Sequence, residues 1–179
     1  MTGSEPFVGI DGTVTDFWRF AMSDFRTNNL RGYLAEYLVA RAVESKQSRV
    51  EWHSHDVITP DGITIEVKSS AYLQAWAQRG VSTITFSGLR GKKWTPEANY
   101  AAEQTYNAEV YVFCVNTATD HATYNPIDVS QWDFYVISKL ILSALGQKTL
   151  SLSRVRSLSG GVVAFSDLGA AVRSAAEHI

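Results

Sequence analysis

The stretch His55-Asp56-Val57-Ile58-Thr59-Pro60-Asp61-Gly62-Ile63-Thr64-Ile65-Glu66-Val67-Lys68-Ser69-Ser70 reads as two strands joined by a tight turn. Val50 to Ile58 and Ile63 to Lys68 are rich in β-branched residues, and Thr59-Pro60-Asp61-Gly62 between them is strong turn chemistry. Alternation puts Ile63, Ile65 and Val67 on one face, and Thr64, Glu66 and Lys68 on the other. Register then decides which acids meet. Pro-Asp-Gly favours a type I turn closed by a glycine in the left-handed region, a three-residue loop that pairs Thr59 with Ile63. In that register Asp56 falls opposite Glu66. A two-residue loop would pair Thr59 with Gly62 and set Asp56 against Ile65 instead.

Facing carboxylates repel, since opposed side chains lie only about 4.5–5.5 Å apart at Cβ. Such a pair makes sense around a divalent cation. Mg²⁺ (or Mn²⁺) suits it, because one or two carboxylates, waters and phosphate oxygens complete its shell. Lys68 lies diagonal to Asp56, placed to hold a nucleophilic water or to meet charge developing on a phosphate. Asp61 sits at the turn tip, where Asp is favoured for local reasons. The competing reading of Asp56, Glu66 and Lys68 is a solvated strand face of mixed charge.

Around this hairpin the chain of 179 residues alternates helical and strand patterns. Residues 1–27 read as a polar arm and a short aromatic helix over Phe17 to Phe25, and residues 28–179 as one α/β domain. Asn28 or Asn29 caps a helix through about Glu44, with Leu30, Leu34, Tyr37 and Leu38 at helical spacing. Thr83 to Ser87 suggests a third strand, and Thr95-Pro96-Glu97 opens a helix to Asn107. Glu109 to Asn116 is an apolar run suited to a buried central strand. Phe134 to Leu142 fits strand or helix. Leu150 to Leu158 and Val162 to Phe165 read as weaker strands, and Asp167 to Ala176 as a closing helix. The order predicts a mixed β-sheet flanked by helices.

Composition narrows the class. The chain is 45% hydrophobic and 19% charged, as a folded domain is. Its net charge of −2 argues against broad non-specific coating of nucleic acid, though not against local basic groups. The single Cys114 excludes an internal disulfide and lies in the apolar run Val110 to Val115, as an inert buried thiol would. No signal sequence opens the chain and no apolar run could span a bilayer, so a soluble cytoplasmic protein is expected.

On these residues the chain resembles the PD-(D/E)XK nuclease superfamily, whose fold is restriction-endonuclease-like. That core carries an acid on a helix, an Asp on a strand and Glu-x-Lys on the next, in the order αβββαβ. The matches are Glu36 in Leu34-Ala35-Glu36-Tyr37-Leu38, Asp56, and Glu66-Val67-Lys68. The literal Pro60-Asp61 pair lies in the turn, where it cannot oppose Glu66, so the metal-binding Asp maps onto Asp56. The resemblance covers roughly residues 28–116. It implies Mg²⁺-dependent hydrolysis of DNA phosphodiester bonds, leaving a 5′-phosphate and a 3′-hydroxyl, with Asp56, Glu66 and Glu36 on the metal and Lys68 at the reacting phosphate. It also implies supporting roles for Ser69, Ser70 and Gln74, and a homodimer would let two sites cut both strands.

Glu36 shares a helix face with Gly32 and Ala40, small residues that permit close approach to a sheet; an exposed helical Glu is the alternative. Arg79, Arg90, Lys92 and Lys93, with Trp94, form the main basic segment, suited to tracking DNA phosphates or simply to a solvated loop. Trp76 could stack on a base or fill the core. Alternation turns His53 and His55 away from Asp56 and Glu66, and two histidines alone make a poor zinc site. The rivals to an enzyme are a DNA-binding descendant of the same fold and a protein-interaction domain. A binding-only module has no reason to keep two opposed acids.

Overall fold

The computed structural model describes residues 1–48, 54–95 and 99–177. In chain order the elements are helices α1 (Val14–Ala21) and α2 (Asn28–Ala42), strands β1 (Val57–Ile58), β2 (Thr64–Ala71), β3 (Thr85–Phe86), β4 (Gly91–Thr95), β5 (Asn99–Thr105), β6 (Val110–Asn116) and β7 (Trp132–Ser138), helix α3 (Lys139–Leu145), strand β8 (Leu150–Ser151), and helices α4 (Leu152–Ser159) and α5 (Leu168–Ala176). The main sheet is mixed, in the order β1-β2-β6-β7. β2 runs parallel to β6, while β1 and β7 lie antiparallel to their neighbours. As the apolar run predicts, β6 is central and buried along its whole length.

The period of two in β6 and β7 divides the core. Val110, Val112, Cys114, Phe134 and Val136 face α2 and α5, packing on Ala35, Leu38, Val39, Leu168 and Val172. Tyr111, Phe113, Val115, Tyr135 and Ile137 face the other way, onto Phe86, Leu142, Leu150 and Val155 from the β3–β8 ladder, α3 and α4. Helices therefore cover both faces of the sheet.

The Pro-Asp-Gly turn adopts the three-residue register. Val57 pairs with Ile65 and Ile58 with Thr64, while the Thr59 amide donates to the Ile63 carbonyl at 3.0 Å. Gly62 has φ of +94°. The ladder stops at Val57, and Asp56 lies in a bend.

Several elements differ from expectation, each for a local reason. The helix over Thr95 to Asn107 is not formed; β5 instead pairs antiparallel with β4, which replaces the αβββαβ order. Pro96 and Glu97, which open that expected helix, lie outside the described residues. β3 joins a separate ladder with β8, not the main sheet. Phe134 to Leu142 resolves into strand then helix, with the Ser138 hydroxyl capping α3 by accepting from the Ile141 amide. Leu150 to Leu158 is mostly helix, because Ser151 caps α4 through the Arg154 amide. Val163 makes only an isolated bridge to Phe134. α1 begins earlier than Phe17, at a reciprocal cap between Thr13 and Asp16. α2 starts from Thr27, not Asn28 or Asn29. Residues 50–53 of the first expected strand, His53 among them, lie outside the described residues.

Nothing stands within 4 Å of where a Gly62 side chain would begin, so its conformation alone constrains the residue. Gly62→Ala is therefore expected to destabilise the fold by about 1–2 kcal/mol, and Gly62→Asn by less. Urea denaturation of both variants checks the order.

Candidate active site

β2 places Glu66 beside Tyr111 and Lys68 beside Phe113 in the parallel ladder. Both polar side chains thus lie on the face opposite the Ile65 and Val67 side chains, which pack beneath α2. The Lys68 ammonium donates to Glu66 Oε1 at 2.6 Å, and both side chains are largely buried, at 23% and 19% exposure. Burial, and next the charge of Asp56, push the Glu66 carboxyl above the usual carboxylate range; Lys68 offsets this only in part.

Asp56 does not sit opposite Glu66 as a ladder residue. Its amide donates to the Ile65 carbonyl at 3.0 Å, and its Oδ2 accepts from the Val67 amide at 2.7 Å. The carboxylate stands in for the next rung of the sheet, where it also acts on Glu66 electrostatically. The turn register set this up, and the end of the strand moved the side chain onto the backbone.

Glu36 and Asp56 line one cavity of about 310 Å³, together with Tyr33, Tyr37, Ala40 and His55. Glu36 comes from α2, which covers the other face from Glu66 and Lys68. Among the described residues no three His, Cys, Asp or Glu side chains gather closely enough to hold an ion. Asp56 is the acid common to Glu36 and Glu66: it shares a cavity with Glu36 and its charge acts on Glu66. His55 shares the Asp56 cavity, contrary to the alternation expected of a longer strand, because both residues lie in the bend before β1.

A second cavity opens at the far end of β2. Lys68, Ser69, Ser70 and Gln74 line it, together with Asn28 and Arg31 from α2. Gln74 is buried; its Nε2 donates to the Ala71 carbonyl at 2.9 Å, and its Oε1 accepts from Arg31 at 3.2 Å. A Cβ on Gly32 would meet Ser69 Oγ at 4.0 Å, an ordinary contact, so the approach of α2 here does not depend on glycine. Trp76 lies at the cavity with 57% exposure, so it is not a core tryptophan. Arg31 was not singled out by the sequence, and Asn28 only as a candidate helix cap. An arginine in a helix next to a glycine gives no signal of burial, although its three-residue spacing from Asn28 is that of helical neighbours.

The basic segment is divided. Lys92 and Arg79 are exposed. Arg90 is clipped to the Gln104 carbonyl through Nε at 3.1 Å and Nη2 at 2.7 Å, with its guanidinium 5.8 Å from the Tyr106 ring centre. Lys93 lies within β4, and its side chain is outside the described set. Asp61 is exposed at the turn tip, its carboxyl lowered first by a hydrogen bond from the Thr59 side chain. Cys114 is fully buried and its thiol is pushed up by that burial.

A family model described as bacteriophage T4 endonuclease IV matches residues 20–154. Both cavities and the whole hairpin lie within that span. No curated protein matches the chain.

The Asp56 charge is expected to act on Glu66 without supporting it mechanically. Asn keeps an oxygen for the Val67 amide, so Asp56→Asn should lower the Glu66 carboxyl toward 4.5, its ordinary value. The sign for stability follows: a raised carboxyl disfavours ionisation in the fold, so stability falls as pH rises past 4.5 and through the raised value, and less steeply in Asp56→Asn. A carbon-13 NMR titration of the glutamate carboxyls, with melting curves across pH, checks both.

Proposed function

The chain belongs to the bacteriophage T4 endonuclease IV family, and from that premise we propose that it is a Mg²⁺-dependent DNA endonuclease of the PD-(D/E)XK type. Family membership supports the nuclease class. One observation supports the finer reading: a buried Glu66–Lys68 pair at 2.6 Å, with the Asp56 charge close enough to raise Glu66 further. Two carboxylates that repel across a sheet edge, with a lysine beside them, match the acid, acid, lysine order of that superfamily. The mixed sheet with α2 laid across β2 is compatible with a restriction-endonuclease-like core.

The residues fit a magnesium ion as a two-carboxylate site, Asp56 and Glu66, with Glu36 in the adjoining cavity as a supporting acid. Two protein carboxylates suffice for Mg²⁺, which keeps several waters and takes phosphate oxygens. Bound there, the ion supplies electrophilic activation of water and neutralisation of phosphate charge. The chain's own groups do the rest. The Val67 amide fixes Asp56, and Lys68 fixes Glu66, so neither carboxylate must be ordered when substrate arrives. Lys68, held on the wall of the second cavity, presents positive charge where a phosphate would enter. Lys92, Lys93 and Arg79 contribute phosphate contacts along the strand, while Arg90 serves mainly to brace the β4–β5 hairpin. Two copies acting together would cut both strands of a duplex.

Cleavage of supercoiled plasmid should require Mg²⁺ and stop with EDTA. Lys68→Ala should lose roughly a hundredfold or more in kcat while DNA affinity changes only a few-fold. Asp56→Asn should be inactive and Asp61→Asn near wild type. Cleavage by Asp56→Asn together with an inactive Asp61→Asn would place the metal at the turn and overturn this assignment.

A further inference from the structure

The second cavity, about 330 Å³ in volume, is built for an anion. Arg31 and Lys68 line it with Asn28, Ser70, Thr83 and Thr85, and no Asp or Glu does. Arg31 is the unusual member. Only 5% of it is exposed, yet its acceptors are all neutral: the Arg26 carbonyl at 3.1 Å, Gln74 Oε1 at 3.2 Å and Asn28 Oδ1 at 2.5 Å. Its Nε is buried with no hydrogen-bond partner. Among the described residues, no carboxylate lies within ion-pair distance of it.

A guanidinium has five N–H donors. Three are committed here, which leaves Nε–H and one N–H of Nη2, two donors that can grip two oxygens of one anion. Buried cations are ordinarily paired, because an uncompensated one is penalised by several kcal/mol. Lys68, the other cation of this cavity, is paired with Glu66. Arg31 has no such counter-charge, and a cavity lined by hydroxyls and amides adjoins it. The missing partner is then a ligand, and the chemistry selects an oxyanion able to accept several hydrogen bonds.

We propose that Arg31 anchors a phosphate subsite that takes a non-reacting backbone phosphate of the DNA strand, beside the bond positioned at Lys68. Trp76, exposed at the same cavity, offers its face to an adjacent base. The identity of the anion as a DNA phosphate rests on the nuclease reading above; the binding of an oxyanion does not.

Asn28→Asp tests it with the smallest change, turning the acceptor 2.5 Å from Arg31 into a permanent counter-ion. Asp is favoured in the first turn of a helix, so the variant should fold. Without metal and in EDTA, inorganic phosphate and a short deoxyoligonucleotide are titrated against wild type, Asn28→Asp and Asp61→Asn, with melting temperatures measured in parallel. The expected result is a higher melting temperature for Asn28→Asp, loss of the stabilisation that phosphate gives wild type, and about tenfold or more weaker oligonucleotide binding. Asp61→Asn, a change at the exposed turn tip away from the cavity, is the control and should keep both kinds of binding. Unchanged phosphate and oligonucleotide affinity in Asn28→Asp overturns the subsite and leaves Arg31 as a brace between α2 and Gln74. Thr85→Glu, which brings an acid to the cavity from β3, gives the same two-way answer should Asn28→Asp fail to fold. If wild type never cuts plasmid but Asn28→Asp still loses phosphate, the nuclease reading fails and the subsite stands.

Discussion

The parallel ladder between β2 and β6 sets, residue by residue, what each face of the sheet must accommodate. Ile65 and Val67 go to the core beneath α2, so Glu66 and Lys68 must go to the opposite face, beside Tyr111 and Phe113. A slip by one residue would bury both charges under α2 and expose two β-branched residues, which makes the register hard to lose. The charge pair is then held where desolvation opposes it. A pair of this kind is weak evidence for stability, since a well-packed apolar pair often does as well. Folding alone therefore does not account for the pair.

Asp56 shows how one side chain can serve both. It accepts the Val67 amide that β1, only two residues long, is too short to satisfy. Buried amides are rarely left unpaired, so some acceptor was needed at that position. A serine or asparagine would have met the backbone requirement without adding a negative charge next to Glu66. The choice of a carboxylate is therefore what the backbone alone does not explain.

Much of the geometry was legible in local sequence, and the illegible parts share a cause. Pro60-Asp61-Gly62 specified the turn and its register because φ at Gly62 has a strong chemical signature. The all-apolar run of β6 announced a central strand. Asp56, Glu66 and Lys68 were readable because period two ties them to that turn. Asn99 to Thr105 misled because Ala101, Ala102, Glu103 and Gln104 are good helix formers, and only pairing with β4, a tertiary fact, makes the segment a strand. Ser151 had the same ambiguity, as a strand residue or a cap. The placement of Glu36 depended on which face α2 covers, and α2 has almost no amphipathic pattern of its own to tell. Arg31 was unreadable for a different reason: its burial is created by Gln74, many residues away in the chain.

The two edges of the main sheet are both poor templates for another strand. β1 offers two residues, and along β7 the Val163 amide already donates to the Phe134 carbonyl at 2.8 Å. Short or covered edges discourage sheets from joining across molecules. Should two copies meet to act on both strands of a duplex, the edges of the main sheet are not where they would join. Spacing between two cuts would then be governed by surfaces elsewhere on the molecule, and a change there would alter that spacing while leaving the Asp56–Glu66 hairpin as it is.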